Sequence, residues 1–252
     1  FGSRLFSFPH GFFLDHEGYL WVTEGAPAGD AREVEGLKRG LGHQVFKFSQ
    51  DGEIVMTLGE AAVSGYGPAH FNGPAGVVVA DNGDIWVSDG HRDGNNRIVK
   101  FNKDGEFLLE VGGGVESRSG DPGKFNDPHD ITIDAHGRIL VADRGNNRIQ
   151  IFDQDGNLIA VWTQFGRPST VVVDRNGMIY AGDGMSNDQW NPGWERGIRI
   201  GDVDTGWVTA FIPDSERPEG TGVEFLGVDF DGNIYAGEVG RQRLVKYERF
   251  RP

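Results

Sequence analysis

Two histidines occupy the same place in two similar segments of the chain. His10 follows a proline in FSFPHGF, and His129 follows a proline in FNDPHDI. Imidazole nitrogen is a good zinc ligand, and three protein ligands with one open position make a catalytic metal centre. A histidine at such a position can also simply hydrogen-bond a neighbouring loop. Other segments of this kind carry Ala75 or Ser169 here, which are poor ligands, so the pair predicts a metal bound by His10 and His129.

A second set of chemically active side chains is acidic. Each similar segment ends its second apolar stretch with an acid, namely Glu24, Asp89, Asp143, Asp183 and Glu238. Such an acid can order the following loop through backbone N–H groups or through a downstream arginine. The arginines in the matching positions are Arg97, Arg148, Arg199 and Arg243. Alternatively, the acids form a negative rim in which one of them serves as a base or a cation ligand.

A repeated unit must position these residues, and residues 125–153 show it most completely, as FNDPHDITIDAHGRILVADRGNNRIQIFD. Three short apolar stretches are separated by a glycine turn and a polar loop, and Leu158 to Trp162 supplies a fourth. Four short antiparallel strands in about forty residues make one blade of a β-propeller. Further copies begin near residues 9, 74, 168 and 223. The sequence therefore predicts an all-β propeller of four-stranded antiparallel blades, five of them in this chain.

The ends of the repeat leave two arrangements open. The fifth copy supplies only three strands, and residues 2–8 are a candidate for the fourth. The same residues also resemble the tail of a preceding unit, so a sixth, upstream blade is the alternative. Because each blade of such an array buries its faces against its neighbours, the unbroken repeat predicts a single domain over residues 1–252.

Composition limits the setting and the partners. The net charge of −14 disfavours nucleic acid and anionic membranes as partners. No apolar run is long enough for a transmembrane helix, and the absence of cysteine excludes disulfides and thiolate metal sites. The chain begins with Phe rather than Met, so we expect a processed, trimmed or truncated chain from which any signal peptide is already gone. Separately, we expect a secreted protein with an extracellular or periplasmic location. We expect it to be a monomer that acts on a small-molecule or peptide-derived substrate.

The motifs ADRGNNRIQIF, SDGHRDGNNRIVKF and DPHDITID resemble NHL-repeat propellers. Within that group the chain is most similar to the peptidyl-α-hydroxyglycine α-amidating lyases and their bacterial relatives, and the resemblance covers nearly the whole chain. The family holds zinc with three histidines at Pro-His steps. The resemblance assigns two of these to His10 and His129, and the third aligns with Glu224. Two histidines and a glutamate form an established zinc set that could equally hold Fe²⁺ or Mn²⁺.

The resemblance also implies two catalytic residues. Arg144 follows Asp143 directly, where other copies have Gly or Val, and the family uses an arginine at the matching place to bind the substrate carboxylate. His91 stands where the lyases carry a tyrosine for proton transfer. This substitution keeps a group that can transfer a proton but moves its ordinary pKa towards neutral. Phe225 replaces the family's calcium-linked acid, which makes Ca²⁺ the less favoured ion.

The function implied by the resemblance is a metal-dependent lyase that cleaves a carbinolamide-type substrate. The metal would act as a Lewis acid, His91 as the base and Arg144 as the carboxylate-binding group, with release of an amide and glyoxylate. Two alternatives stay open. One is a different metal-dependent hydrolase on the same fold, such as a lactonase, which would favour acidic and Asn ligands for calcium. The other is a non-catalytic propeller that binds a protein or glycan on its loop face.

Overall fold

The computed structural model describes residues 2–26, 29, 31–92, 94–114, 118–214 and 221–250. These residues form five antiparallel sheets that have the strand order of propeller blades. The fold class is thus the predicted one, an all-β propeller. Within the described ranges, no helix combines the length and the apolar character needed to cross a bilayer.

Each sheet takes its strands in chain order, so every connection between neighbouring strands is a local hairpin. The first sheet contains β1 (Pro9–Leu14), β2 (Leu20–Glu24), β3 (Val45–Phe48) and β4 (Ile54–Leu58). The second contains β5 (Pro74–Val79), β6 (Ile85–Asp89), β7 (Arg97–Phe101) and β8 (Phe107–Gly112). The third contains β9 (Pro128–Ile133), β10 (Ile139–Asp143), β11 (Arg148–Phe152) and β12 (Leu158–Trp162). The fourth contains β13 (Thr170–Val173), β14 (Met178–Asp183), β15 (Gly197–Asp202) and β16 (Val208–Pro213). The fifth contains β17 (Val223–Val228), β18 (Ile234–Glu238) and β19 (Arg243–Tyr247).

The chain divides into two compact units, Phe1–Ile131 and Thr132–Pro252, and the boundary falls within β9. In the first unit, Trp21, Val87 and Val99 belong to one buried apolar cluster. In the second, Leu140, Ile149 and Ile179 belong to another. The second and third strands of the blades supply most of these side chains, which accounts for their nearly continuous apolar sequence.

The acid that ends each second strand is a structural residue, as one of the two readings of the sequence proposed. In the second blade Asp89 accepts a hydrogen bond from Arg97 Nε at 2.9 Å and another from the backbone N–H of Asn72 at 2.8 Å. Three other blades repeat the contact, through the pairs Arg148–Asp143, Arg199–Asp183 and Arg243–Glu238. In the first blade Glu24 accepts backbone N–H groups instead. All five acids are buried. Each therefore depends on these donors to offset the cost of removing a carboxylate from water.

The structure differs from the sequence predictions at the N-terminal end. Residues 2–8 form turns and bends rather than a strand, and the fifth sheet has three strands in the described part of the chain. The reason is visible at Glu24, whose two carboxylate oxygens accept the N–H groups of Ser7 and Phe8 at 2.9 and 2.7 Å. Backbone donors used by a side chain are not available to a strand ladder.

A short helix, α1 (Ala31–Leu37), lies in the connection between β2 and β3, where the sequence showed no convincing helix. With seven residues it is too short to display a helical period of apolar positions. Its position is fixed by a tertiary contact, since the Ser7 hydroxyl donates to the backbone carbonyl of Arg32. Isolated helices of this length are unstable in water, so such contacts decide whether the helix forms.

We predict that Asp89→Ala lowers the free energy of unfolding by about 3–5 kcal/mol, because it leaves the buried Arg97 guanidinium with only the partly exposed Glu110 as counter-charge. Chemical denaturation of the purified protein measures the change. The control is Asp104→Ala, which removes an exposed pair with Lys103 at 3.0 Å and is expected to cost less than about 1 kcal/mol. Equal losses in the two variants would contradict a structural role for Asp89.

Candidate metal centre

Three histidines of the first unit lie together with their ring nitrogens turned to a common point. His10 is on β1, His129 is on β9, and His91 is in the loop that follows β6. All three are only 3% exposed. Their ring centroids are 4.5 Å apart for His10 and His91, 4.7 Å for His10 and His129, and 5.0 Å for His91 and His129. One nitrogen of each ring lies within 4.8 Å of the other two.

The position of His10 follows from a break in the pairing of β1 with β2. The register runs from Pro9 opposite Glu24 to Phe12 opposite Val22, so the ladder has a β-bulge directly after the proline. Bulges of this kind re-aim a side chain. The same break follows Pro74 in β5. It is therefore a property of the repeat, and only the residue type at the bulge makes a copy capable of binding a metal.

Close backbone packing keeps the residue after the bulge small. A Cβ atom on Gly11 would overlap the carbonyl oxygen of Ala75. Instead, the Gly11 N–H donates to Thr23 Oγ1 at 2.8 Å, and Thr23 Oγ1 donates to the Ala75 carbonyl at 3.1 Å. This carbonyl consequently stands at a fixed place beside the His10 ring.

Backbone carbonyls fix which nitrogen each of two rings presents. His10 Nδ1 lies 2.9 Å from the oxygen of Ala75, and His91 Nδ1 lies 3.1 Å from the oxygen of Gly25. A carbonyl can only accept, so in both rings Nδ1 carries the hydrogen. In a neutral imidazole the lone pair is then on Nε2, which is the arrangement found in metal-binding histidines.

Glu24, the structural acid of the first blade, orders the backbone segments that contact His91. Glu24 accepts hydrogen bonds from the N–H groups of Ser7 and Phe8. The Gly25 N–H donates to the Phe8 carbonyl at 2.9 Å, and the Gly25 carbonyl accepts from Nδ1 of His91. The Phe8 ring stacks on the His91 ring, with centroids 5.7 Å apart and planes at 20°. Burial raises the pKa of Glu24, and the N–H groups of Phe8 and Ser7 act in the opposite direction.

Arg32 extends this arrangement outward from α1. Its guanidinium carbon lies 3.7 Å from the centroid of the Phe8 ring, in cation–π geometry. Phe8, which stacks on the His91 ring, is thus held by packing as well as by hydrogen bonds. A substituent at Gly25 would disturb them, because a Cβ atom there would lie 2.6 Å from Cβ of His10.

The structure distributes the five predicted site residues over the two units. His10 and His129 lie together with His91, the residue to which the resemblance gave proton transfer. Within the described residues, these three form the one group of histidines or acids with a geometry suited to a metal. Glu224, aligned with the family's third ligand, lies on β17 in the second unit. There its Oε2 is 3.4 Å from Nη1 of Arg144, and both residues are buried.

Arg144 opens a short 3-10 helix, Arg144–Asn146, directly after β10. Asn147 ends this turn in the left-handed region, with φ 54° and ψ 49°. In the sequence, Arg144 stands out because the other copies of the repeat carry Gly or Val at the same place. His91 has a comparable signal, since it also follows the acid at the end of a second strand, and its backbone N–H is fixed by the Gly73 carbonyl at 2.9 Å.

His16 and His136, in the first turns of the first and third blades, are exposed. His43, which lacks the Pro-His placement, is fully buried in the first unit.

Comparison with known proteins identifies the repeat. The NHL repeat family profile matches residues 71–101 and 125–152, which include His91 and His129. This chain is an NHL-repeat protein. NHL repeat-containing protein 3 of Mus musculus is 38% identical over 252 residues, which cover 95% of this chain and 66% of that protein.

The NHL repeats of this chain are also similar to those of amidating enzymes. Peptidyl-glycine alpha-amidating monooxygenase B of Xenopus laevis is 30% identical over 263 residues, covering 98% of this chain and 27% of that protein. A probable peptidyl-alpha-hydroxyglycine alpha-amidating lyase of Caenorhabditis elegans is 37% identical over 154 residues, which cover 60% of this chain and 39% of that protein. The chain thus spans between about a quarter and two thirds of the length of these relatives.

Solved structures share the fold at much lower identity. Virginiamycin B lyase from Staphylococcus aureus has a TM-score of 0.58 and 14% identity, over 98% of this chain and 71% of that one. A gluconolactonase from Xanthomonas campestris has a TM-score of 0.60 and 18% identity, over 92% of this chain and 69% of that one. At these identities the likeness concerns the fold alone.

We predict that His10 and His91 are protonated on Nδ1 and unprotonated on Nε2 in the neutral, metal-free protein, because a backbone carbonyl accepts from each Nδ1. Long-range ¹H–¹⁵N correlation spectra at about pH 8, where an ordinary imidazole is neutral, report the tautomer directly. Exposed His16 is the internal control and is expected to show signals averaged between tautomers. An Nε2-protonated ring at position 10 or 91 would contradict the geometry described above.

Proposed function

We propose that this chain is a metal-dependent lyase of the amidating-lyase type, with His10, His91 and His129 as the metal ligands. The observation that carries the proposal is the group of three buried imidazoles, with one nitrogen of each within 4.8 Å of the others. Three nitrogen ligands with a fourth position open are a catalytic zinc set. The sequence similarity to amidating enzymes supports the reaction class.

The donor set fits a metal of the zinc type. Zn–N bonds of about 2.0–2.1 Å in tetrahedral geometry place the nitrogens roughly 3.3 Å apart. The observed nitrogens are at most about 1.5 Å further apart than that. Ca²⁺ prefers six to eight oxygen ligands, so three imidazoles do not suit it. Zn²⁺ is therefore our proposal, with Fe²⁺ or Mn²⁺ as the alternative ions.

When bound, such a metal supplies Lewis-acid chemistry that lowers the pKa of a substrate hydroxyl. The chain's own residues prepare the site for it. The carbonyls of Ala75 and Gly25 hold the Nδ1 hydrogens of His10 and His91 and so keep both Nε2 lone pairs available. Burial of all three rings excludes bulk water, which strengthens electrostatic interactions inside the site.

In this proposal His91 is a ligand rather than the base. Its Nδ1 hydrogen is engaged by the Gly25 carbonyl, and its Nε2 lone pair is used for the metal. The ring then has no free nitrogen with which to accept a substrate proton. The departure from the family's tyrosine thus changes the ligand set.

Arg144 keeps the role that the resemblance implies, the binding of a substrate carboxylate. Its contact with Glu224 at 3.4 Å is longer than the 2.7–2.9 Å or so of a good charge-assisted hydrogen bond. A carboxylate able to make a bidentate contact would compete well with Glu224 for the guanidinium. The substrate class is accordingly an N-acylated α-hydroxyglycine, and the products are the amide and glyoxylate.

We expect His10→Ala, His91→Ala and His129→Ala each to lose stoichiometric metal, because two remaining ligands hold an ion weakly. Elemental analysis of dialysed protein measures metal content, and release of glyoxylate from an N-acyl-α-hydroxyglycine measures turnover. His16→Ala, an exposed histidine of the same unit, is the matched control and is expected to keep both.

Glu224→Gln separates the two possible ligand sets. We expect it to retain the metal. Loss of metal in Glu224→Gln with full metal in His91→Ala would instead favour the set taken from the resemblance, with His91 returned to proton transfer. A protein that binds no metal, or binds metal without turning over the substrate, would favour the non-catalytic alternative.

A further inference from the structure

Two arginines of the second unit depart from the repeat and meet each other. Arg144 stands after Asp143, where the other copies have Gly25, Gly90, Gly184 and Val239. Arg167 stands before Pro168, where the copies that begin with a proline have Phe8, Gly73 and Asp127. The blade architecture requires an arginine at neither position. Nevertheless, Arg167 Nη1 donates to the backbone carbonyl of Arg144 at 3.0 Å.

The contact clamps the whole turn that carries Arg144. The same Arg167 Nη1 also lies 3.0 Å from Oδ1 of Asn147, the residue that ends the 3-10 helix. The Arg167 guanidinium therefore binds both Arg144, the first residue of the turn, and Asn147, the residue that follows the turn. Arg144 and Arg167 are 5% and 7% exposed, so this clamp is buried. A planar, fork-shaped donor is suited to such a fixed geometry.

Arg167 is itself held by Asp183, the structural acid of the fourth blade. The Arg167 N–H donates to Asp183 Oδ2 at 2.9 Å. The preceding residue, Gly166, has a φ of +78°, and a Cβ atom there would overlap Asp183 Oδ2. The approach of this segment to the acid thus depends on glycine, and the acid fixes the backbone from which Arg167 reaches Arg144.

The outer side of Arg167 is covered by Trp190, from the long connection between β14 and β15. The guanidinium carbon lies 5.2 Å from the Trp190 ring centroid. Asp183 anchors this loop as well, since Ser186 donates to it from both its backbone N–H at 2.9 Å and its hydroxyl at 2.6 Å. Arg167 and the Trp190 loop therefore share one anchor.

We propose that Arg167 is a positioning residue that sets the Arg144 guanidinium for carboxylate binding, and that Trp190 holds Arg167 in place. The inference rests on the proposed function in so far as Arg144 is the carboxylate-binding residue. Arg167 acts on the turn rather than on the substrate. It therefore controls the affinity for the charged group and leaves the affinity for the rest of the substrate unchanged.

The kinetic test compares an N-acyl-α-hydroxyglycine with its primary amide, which lacks the carboxylate. We expect Arg167→Met to raise KM for the carboxylate substrate roughly 10–100-fold, since a misplaced positioning group costs about that much. KM for the amide should change less than about twofold, and Arg167→Lys should give an intermediate value for the carboxylate. An equal rise of KM for both substrates would overturn the proposal.

Substitutions of the two exposed tryptophans in this loop provide a matched pair of variants that leaves the buried core unchanged. Trp190 and Trp194 are 45% and 37% exposed, and each lies over an arginine, Arg167 or Arg199. We expect Trp190→Ala to raise KM for the carboxylate substrate about three- to tenfold, in line with the loss of one cation–π contact. Trp194→Ala should leave it unchanged. Equal effects of the two substitutions would mean that the loop acts only through general stability.

A spectroscopic measurement decides the positioning role even if the protein has no lyase activity. The Nε–H resonance of Arg144, assigned by its loss in Arg144→Lys, should show a rigid side chain by ¹⁵N heteronuclear NOE in the parent and in Trp194→Ala. It should become mobile in Arg167→Met and partly mobile in Trp190→Ala. An Arg144 signal that is equally rigid in all variants would overturn the proposal. Absence of turnover together with the expected NOE changes would refute the proposed function and leave the positioning role standing.

Discussion

A buried carboxylate at the end of the second strand is the interaction on which each blade depends. It binds backbone N–H groups or an arginine that its own blade supplies, as Asp89 does with Asn72 and Arg97. Taking a carboxylate out of water costs several kcal/mol unless such donors are present. The acid therefore forces the loops around it into one arrangement. Of the two residues with the strongest claim to chemistry, Arg144 follows such an acid directly, and His91 follows one with only Gly90 between them.

The same interaction supports candidate functional residues within each unit. In the first unit, Glu24 orders Ser7 and Phe8, and through Gly25 it reaches the Nδ1 hydrogen of His91. In the second unit, Asp183 holds the backbone of Arg167 and the base of the Trp190 loop. In each unit a structural acid of the repeat thus supports a residue for which we propose a function. Rigid support of this kind is what keeps a metal ligand or a carboxylate-binding arginine within the narrow limits that function requires.

Departures from the repeat mark the residues for which we propose a function. The β-bulge after the leading proline recurs in β1 and β5, but only β1 carries a histidine there. Arg144 and Arg167 likewise replace residues that the blade does not specify. A residue that the fold does not require, yet which is buried and held by several hydrogen bonds, is best explained by what it binds.

The sequence by itself determined the blades, the pairing of four of the acids with an arginine, and the placement of His10 and His129 after the leading proline of two equivalent copies. These features follow from a local pattern of apolar strands and glycine turns that repeats along the chain. Only the tertiary structure decided that His91 joins the two histidines, because its ring is oriented by the Gly25 carbonyl, 66 residues away. It likewise decided that residues 2–8 bind Glu24 instead of forming a strand, and that Glu224 pairs with Arg144, 80 residues away. Contacts between side chains and distant backbone depend on how the blades pack, and no local pattern in the sequence encodes them.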